Sequence, residues 1–350
     1  MCGEMCQFST TILIIFFEYI LPWWYYMNGS TIKNQIKTQM NAHNVAIYSK
    51  DMNIFHLNVL TNNHKEQRQT ILFLHGYLGS AQDYIPFYVK FKDQYNILAI
   101  DLRGHGDSES PKGSWTIDDM VDDVYQIVRL IVPDSGKMII VGNSLSTAIT
   151  LKFTSEYPNL VKNIFLISPT MKFHLPLMGR FAIQLLRIIP NKLIASSMRW
   201  VDRSIDRHIK SGPKNDFAHL AMEKIIHVPV SAHKKILRAT IPSYKIDAKE
   251  LHIPIMIIAG EDDTTVPFDD SVDLNSTAED SSILMLKDTK HRILVTRTDL
   301  VLEIFEQWVN TQSELLTDVG HYHEAELITD HDGHRMLPVD WITSDCETIH

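Results

Sequence analysis

Short apolar runs separated by polar turns recur along the chain between residues 45 and 287. The runs at 45–50 and 54–60 flank the polar triplet 51–53, a pattern that predicts a β-hairpin. Six further runs have the length and composition of buried parallel strands and cover residues 70–75, 95–100, 137–142, 161–167, 253–259 and 282–287. Segments with apolar residues every three or four positions, such as 117–131 and 145–157, lie between several of these runs. The alternation predicts an α/β fold with a mostly parallel sheet and helices on both faces.

One interval breaks this alternation. Residues 169–250 contain no convincing strand but carry amphipathic stretches at 181–189, 193–209 and 217–226. We interpret residues 170–250 as a helical insertion that lies over the end of the sheet. Its many Leu, Ile, Phe, Met and Trp side chains exceed what packing on the sheet requires, and the surplus would line an apolar pocket.

The chain changes character again after residue 310, where hydrophobic periodicity stops. The tail to residue 350 is acidic and contains five histidines, His321, His323, His331, His334 and His350. No helix or strand pattern would fix their geometry, so we predict a disordered tail and no metal site. The predicted organisation is therefore an N-terminal segment at 1–40, one domain at 45–310 and a tail at 311–350.

The N-terminal segment contains an apolar stretch, residues 8–27, that is long enough to cross a bilayer. Its aromatic cluster at 23–26 is typical of a membrane interface. No Lys or Arg precedes the stretch, which disfavours a cleaved signal peptide and predicts a cytoplasmic location for the rest of the chain. We therefore predict association with a membrane through residues 8–27.

Two residues of this stretch oppose a simple membrane span. Glu18 lies at its centre, where a charge is costly, and Pro22 can kink a helix. The alternatives are a translation start at Met40 or an apolar arm packed on a soluble cytoplasmic protein.

Composition and charge narrow the class of protein. Hydrophobic residues make up 45% of the chain and charged residues 21%, as in an ordinary globular protein. The net charge of −9, without a stripe of Lys and Arg, argues against a nucleic-acid partner. Cys2, Cys6 and Cys346 all lie near the termini, so the body of the chain has no thiol for a disulfide, a metal or catalysis. No cofactor is predicted.

The sequence GNSLS at 142–146 follows an apolar run directly and opens a helical segment, the setting of a nucleophile elbow. A sharp turn would hold the Ser144 hydroxyl clear of the sheet, with small residues two positions away on either side. Gly142 meets this requirement, whereas Ser146 stands where a second glycine is usual and is expected to fit with some strain. The N–H of Leu145 at the helix start could bind an oxyanion. The alternative is that Ser144 only caps the helix.

Two more motifs follow predicted strands. In HGYLGS, residues 75–80, His75 and Gly76 allow a sharp turn that would aim the Tyr77 N–H into a cleft beside that of Leu145. We expect the His75 side chain to be structural. In DLRGHGDS, residues 101–108, we expect Asp101 and Arg103 to pair and hold the loop.

The last two predicted strands are followed by acidic and basic candidates. The motif AGEDDTTVP at 259–267 places a carboxylate just past a strand end, and we choose Asp263, with Asp262 as the alternative. These acids could instead cap the following helix. His291 is the one histidine located between the final predicted strand and the closing helix. In this arrangement His291 removes the proton of Ser144, and Asp263 holds the imidazole in the right tautomer.

Taken together, the motifs HGYLGS, DLRGHGDS, GNSLS, GEDDTTVP and KH resemble, in this order, the motif series of the α/β-hydrolase fold family. The resemblance covers about residues 45–310. It implies an eight-stranded, mostly parallel sheet with a helical lid inserted after the sixth strand. It also implies that Ser144 is the nucleophile, Asp263 the acid, His291 the base, and Tyr77 and Leu145 the oxyanion donors.

The chain departs from the family pattern at two places. Ser146 and Thr147 stand where many members have two glycines, and Lys290 stands where a glycine often precedes the histidine. The apolar N-terminal segment combined with a lid is similar in architecture to membrane-bound monoacylglycerol lipases.

The predicted activity is hydrolysis of an apolar or lipid-like carboxylic ester through an acyl-enzyme on Ser144. One alternative keeps these residues but cleaves a thioester, a lactone or a carbon–carbon bond. Another is a catalytically silent binding module.

Overall fold

The computed structural model describes residues 40–310, apart from gaps at 63–64, 66–67, 78, 133–135, 171–231, 233–234 and 237–247. It also describes the backbone of residue 311 and of two short strands in the tail. Most of the predicted insertion at 170–250 and the whole apolar stretch at 8–27 lie outside the described residues. Within the described ranges, no helix has both the length and the hydropathy that a bilayer crossing requires.

The eight predicted strands are all present. They are β1 Asn41–Tyr48, β2 Ile54–Thr61, β3 Thr70–Leu74, β4 Asn96–Ile100, β5 Met138–Asn143, β6 Val161–Ile167, β7 Ile255–Gly260 and β8 Ser281–Leu286. They lie side by side in the order β1-β2-β4-β3-β5-β6-β7-β8. The pairs β1–β2 and β2–β4 are antiparallel, and the others are parallel. The predicted fold, a mostly parallel α/β sheet, is confirmed.

Two further strands extend the sheet beyond β8. In the tail, β10 Arg335–Leu337 pairs parallel with β8, and β9 Ile328–Thr329 pairs antiparallel with β10. These five residues depart from the prediction of a disordered tail, because their backbone groups pair at the otherwise open edge of β8. The rest of the tail lies outside the described residues.

Helices cover both faces of the sheet. They are α1 Ile85–Phe91, α2 Ile117–Ile131, α3 Ser146–Glu156, α4 Phe268–Thr277, α5 Ile293–Thr296 and α6 Thr298–Thr311. Successive side chains of a strand point to opposite faces, so β3 contributes to two cores. Leu72 and Leu74 pack with residues of α2, α3 and α4, whereas Ile71 and Phe73 pack with residues of α1, α5 and α6. Burial on both faces explains why a central parallel strand such as β3 is a nearly continuous apolar run.

A buried ion pair holds the loop after β4, and the acid predicted to take part in it was wrong. Arg103 does not pair with Asp101: its Nε and Nη2 atoms each donate to Asp123 of α2, both at 2.6 Å. The Asp101 carboxylate instead accepts the backbone N–H groups of Ala81 and Asp107, at 2.6 and 2.9 Å. Burial raises the pKa of Asp123 to about 6, and the neighbouring Arg103 opposes that rise.

Arg103→Met is expected to lower the free energy of unfolding by about 3–5 kcal/mol, because it leaves the Asp123 carboxylate buried without its cation. Urea denaturation at neutral pH measures this loss. The double variant Arg103→Met/Asp123→Leu removes both charges and should recover most of it. A double variant as unstable as the single one would contradict this account of the pair.

Candidate active site

Ser144 lies in a sharp turn between β5 and α3. Its φ of +49° is in the left-handed region, which non-glycine residues rarely adopt. The Ser144 N–H donates to the carbonyl of Ile167 in β6 at 2.9 Å, which holds this conformation. The turn has the form predicted for a nucleophile elbow.

Gly142 gives this turn the space that it needs. A Cβ atom at Gly142 would lie 2.6 Å from Oγ1 of Thr150 in α3 and 3.2 Å from Cδ2 of Leu166 in β6. The strand and the helix therefore approach too closely for a side chain, as the motif predicts.

Ser146 does not produce the backbone strain that the missing second glycine led us to expect. Ser146 is absent from the residues with positive φ, and its fully buried hydroxyl forms hydrogen bonds. The hydroxyl donates to the carbonyl of Leu74 at 2.6 Å and accepts the N–H of Asn143 at 2.7 Å. The serine thus ties the elbow to the end of β3.

Thr147, the second departure from the glycine pair, is also buried and bonded. Its Oγ1 accepts the backbone N–H of Thr170 at 3.3 Å. This bond fixes the point where the chain leaves the sheet after β6.

His291 and Asp263 meet Ser144 above the same sheet edge. The Nε2 atom of His291 lies 2.9 Å from Oγ of Ser144, and its Nδ1 atom lies 2.7 Å from Oδ2 of Asp263. A carboxylate only accepts hydrogen bonds, so Nδ1 carries the proton and Nε2 is left to accept the serine hydroxyl. Both the base and the acid side chains are largely buried, with 13% and 3% exposure. The structure therefore brings all three predicted residues together.

The acid is held by its own loop. Oδ1 of Asp263 accepts the N–H groups of Thr265 and Val266, both at 2.8 Å, which leaves Oδ2 directed at His291. The alternative acid, Asp262, has an exposed side chain, and its N–H donates to the carbonyl of Thr289 at 3.1 Å. The geometry favours Asp263.

Gly260 is a residue that sequence reasoning did not single out. A Cβ atom there would lie 2.2 Å from the backbone oxygen of Thr289, in the loop that carries His291. A glycine at the end of β7 thus allows the acid and base loops to run in direct contact. The available signals were its position one residue after a predicted strand and its place at the start of the motif GEDDTTVP.

The end of β3 lies beside the elbow. A Cβ atom at Gly76 would lie 3.4 Å from Cβ of Ser144, so the loop that continues to Tyr77 starts beside the elbow. Leu145 is the N-cap residue of α3, and N–H groups in a first helical turn have no carbonyl partner one turn earlier. That these two N–H groups bind an oxyanion stays a prediction.

His75 has the structural role expected for it. It is fully buried; its Nδ1 donates to the carbonyl of Gly76 at 2.7 Å, and its Nε2 accepts the N–H of Leu102 at 3.0 Å. The imidazole therefore joins the loops after β3 and β4. Among the described residues, no group of His, Cys, Asp and Glu side chains could hold a metal ion.

Comparison with known families is decisive for the classification. The family model described as serine aminopeptidase, S33, matches residues 65–297, more than half of the chain. The chain belongs to this hydrolase family. Membership confirms the resemblance to α/β-hydrolases that the motifs indicated.

Individual curated relatives match the chain at low sequence identity. The 2-(acetamidomethylene)succinate hydrolase of Mesorhizobium japonicum is 30% identical over 100 residues, which are 29% of this chain and 35% of the relative. For this relative and two further curated relatives, the matched part is 35%, 26% and 12% of the relative's own length, so the match spans only a minor part of each.

Solved structures with this fold include two bacterial enzymes. The enol-lactonase from Burkholderia xenovorans has a TM-score of 0.62 at 15% identity and covers 76% of this chain and 100% of its own. A thermophilic esterase from Thermogutta terrifontis has a TM-score of 0.62 at 16% identity. The match covers 78% of this chain and 100% of the esterase. At these identities the likeness establishes the fold alone.

Proposed function

We propose that the protein is a serine hydrolase that cleaves a carboxylic ester of an apolar or lipid-like substrate, with Ser144, His291 and Asp263 as its catalytic triad. The observation that carries the proposal is the continuous hydrogen-bond chain from the serine hydroxyl through the imidazole to the carboxylate, at 2.9 and 2.7 Å.

The first half-reaction forms an acyl-enzyme. Oγ of Ser144 attacks the ester carbonyl carbon while Nε2 of His291 takes the hydroxyl proton. The Asp263 carboxylate stabilises the resulting imidazolium through Nδ1. The carbonyl oxygen becomes an oxyanion, for which the N–H groups of Tyr77 and Leu145 are the proposed donors. The bond to the alcohol then breaks, and the alcohol leaves with the proton from His291.

The second half-reaction repeats these steps with water. His291 takes a proton from a water molecule, which attacks the acyl carbon, and the proton then passes to Oγ as the ester to Ser144 breaks. The products are the free acid and the restored hydroxyl. No metal or cofactor enters either half-reaction.

The proposed substrate class rests on composition rather than on geometry. The insertion at 170–250 is rich in large apolar side chains, which suit an acyl chain better than a polar acid. Association with a membrane through residues 8–27 would place such a site near lipids, and it stays a prediction from the sequence.

The Ser144→Ala variant is expected to lose labelling by a fluorophosphonate probe completely, because the probe reacts with an activated serine hydroxyl. Gel fluorescence of the purified full-length proteins measures the labelling. Ser276→Ala removes an exposed hydroxyl of α4 and serves as the control that keeps full labelling. Equal labelling of Ser144→Ala and wild type would show that another residue is the nucleophile.

Asp263→Asn is expected to lower kcat by about three to four orders of magnitude, because an amide stabilises neither the required tautomer nor the imidazolium. The matched variant Asp262→Asn changes the adjacent, exposed acid and should leave kcat nearly unchanged. Both are measured with the same activated ester. The reverse ranking of the two variants would assign the acid to Asp262.

A series of p-nitrophenyl esters tests the substrate class. If the site binds an apolar acyl chain, kcat/KM should rise roughly fourfold for each methylene added until the pocket is filled, since burying one methylene contributes about 0.8 kcal/mol. Ser144→Ala gives the background rate. A value that is highest for the acetate ester and falls with chain length would exclude a lipid-like acyl group and favour the lactone or thioester alternatives.

A further inference from the structure

The residue that follows β6 has an unusual backbone conformation. Ser168 has a φ of +47°, although a serine gains no steric relief in the left-handed region. It is 2% exposed, and its N–H donates to the carbonyl of Ile258 in β7 at 2.8 Å. A strained, buried residue at a strand end persists only where its surroundings hold it, and such residues cluster at functional sites.

The contacts of Ser168 and its neighbour Ile167 lead to both reacting groups. The Ile167 carbonyl accepts the N–H of Ser144 at 2.9 Å. The Ser168 hydroxyl donates to the carbonyl of His291 at 2.8 Å. The last residue of β6 therefore holds the backbone of the nucleophile, and the residue that follows it holds the backbone of the base.

This arrangement matters because the imidazole must satisfy two distances at once. His291 lies in the loop between β8 and the four-residue helix α5, so its backbone is not held by strand pairing. Its side chain reaches Ser144 and Asp263 only if its backbone stays in place. The hydrogen bond from Ser168 constrains that backbone at His291 itself, whereas the contact between Gly260 and Thr289 lies two residues earlier in the loop.

We propose that Ser168 is a positioning residue, whose hydroxyl holds the backbone of His291 so that the imidazole reaches both the Ser144 hydroxyl and the Asp263 carboxylate. The inference rests on the proposed function of Ser144, His291 and Asp263. With this positive φ, the hydroxyl of Ser168 donates to the loop of His291. Alanine would keep the backbone but lose the donor, and glycine would lose the donor while relieving the backbone strain.

The expected result for Ser168→Ala is a fall in kcat of about 10- to 100-fold with little change in KM, because a small misplacement of a reacting group slows chemistry more than binding. Ser168→Gly should fall as far, although its backbone is unstrained. Ser168→Cys keeps a weak S–H donor and should be intermediate. Equal kcat values for the alanine, cysteine and wild-type proteins would overturn the proposal.

Ser281→Ala is the matched control. The Ser281 hydroxyl, like that of Ser168, donates to a backbone carbonyl, that of Asn275 at 2.9 Å, but it lies at the opposite end of its strand from the loop of His291. Its loss should leave kcat unchanged. If both serine-to-alanine variants lose kcat in proportion to their loss of stability in urea denaturation, Ser168 is only structural and the proposal fails.

A measurement without substrate separates this inference from the proposed function. The proton between Nδ1 of His291 and Asp263 should give a low-field NMR signal in the wild type and in Ser144→Ala. Ser168→Ala should weaken or shift this signal, because the imidazole is no longer held against the carboxylate. An unchanged signal in Ser168→Ala overturns the positioning role, whereas an active Ser144→Ala variant overturns the proposed function instead.

Discussion

The carboxyl ends of four adjacent parallel strands, β5 to β8, lie at one edge of the sheet, and the site depends on that coincidence. Ser144, Ser168, Asp263 and His291 each follow one of these strands. Parallel pairing in register brings residues that are far apart in sequence within hydrogen-bonding distance without any long side chain having to reach across. The backbone bonds from Ser144 to Ile167 and from Ser168 to Ile258 continue this pairing past the strand ends.

Much of this arrangement could be predicted from the pattern of residues alone. A buried parallel strand must be apolar on both faces, so the six parallel strands, β3 to β8, are visible as short, mostly apolar runs. Residues that directly follow such runs were therefore placed correctly at the sheet edge. The choice of Asp263 over Asp262 depended on one position in a loop, and the geometry of the described residues favours it.

Other features leave no periodic signal in the chain. Arg103 was predicted to pair with the nearby Asp101, and only the packing of α2 shows that its partner is Asp123. Ser146 and Ser168 are small polar residues next to strand ends, where serine usually marks an ordinary turn, so nothing in the sequence indicates their hydrogen bonds. The strand β10 has only three residues and is too short to be recognised outside its pairing with β8.

The bond between Thr147 and Thr170 has a consequence for protein engineering. It anchors the first residues after β6 to the helix behind the nucleophile, so the sheet domain extends at least to Thr170, where the predicted insertion begins, rather than ending with the strand. A chimaera that exchanges the insertion for that of a relative should therefore be joined beyond Thr170. A graft that starts at Ser168 would replace the residue that contacts His291. A change of specificity could then not be distinguished from damage to the site.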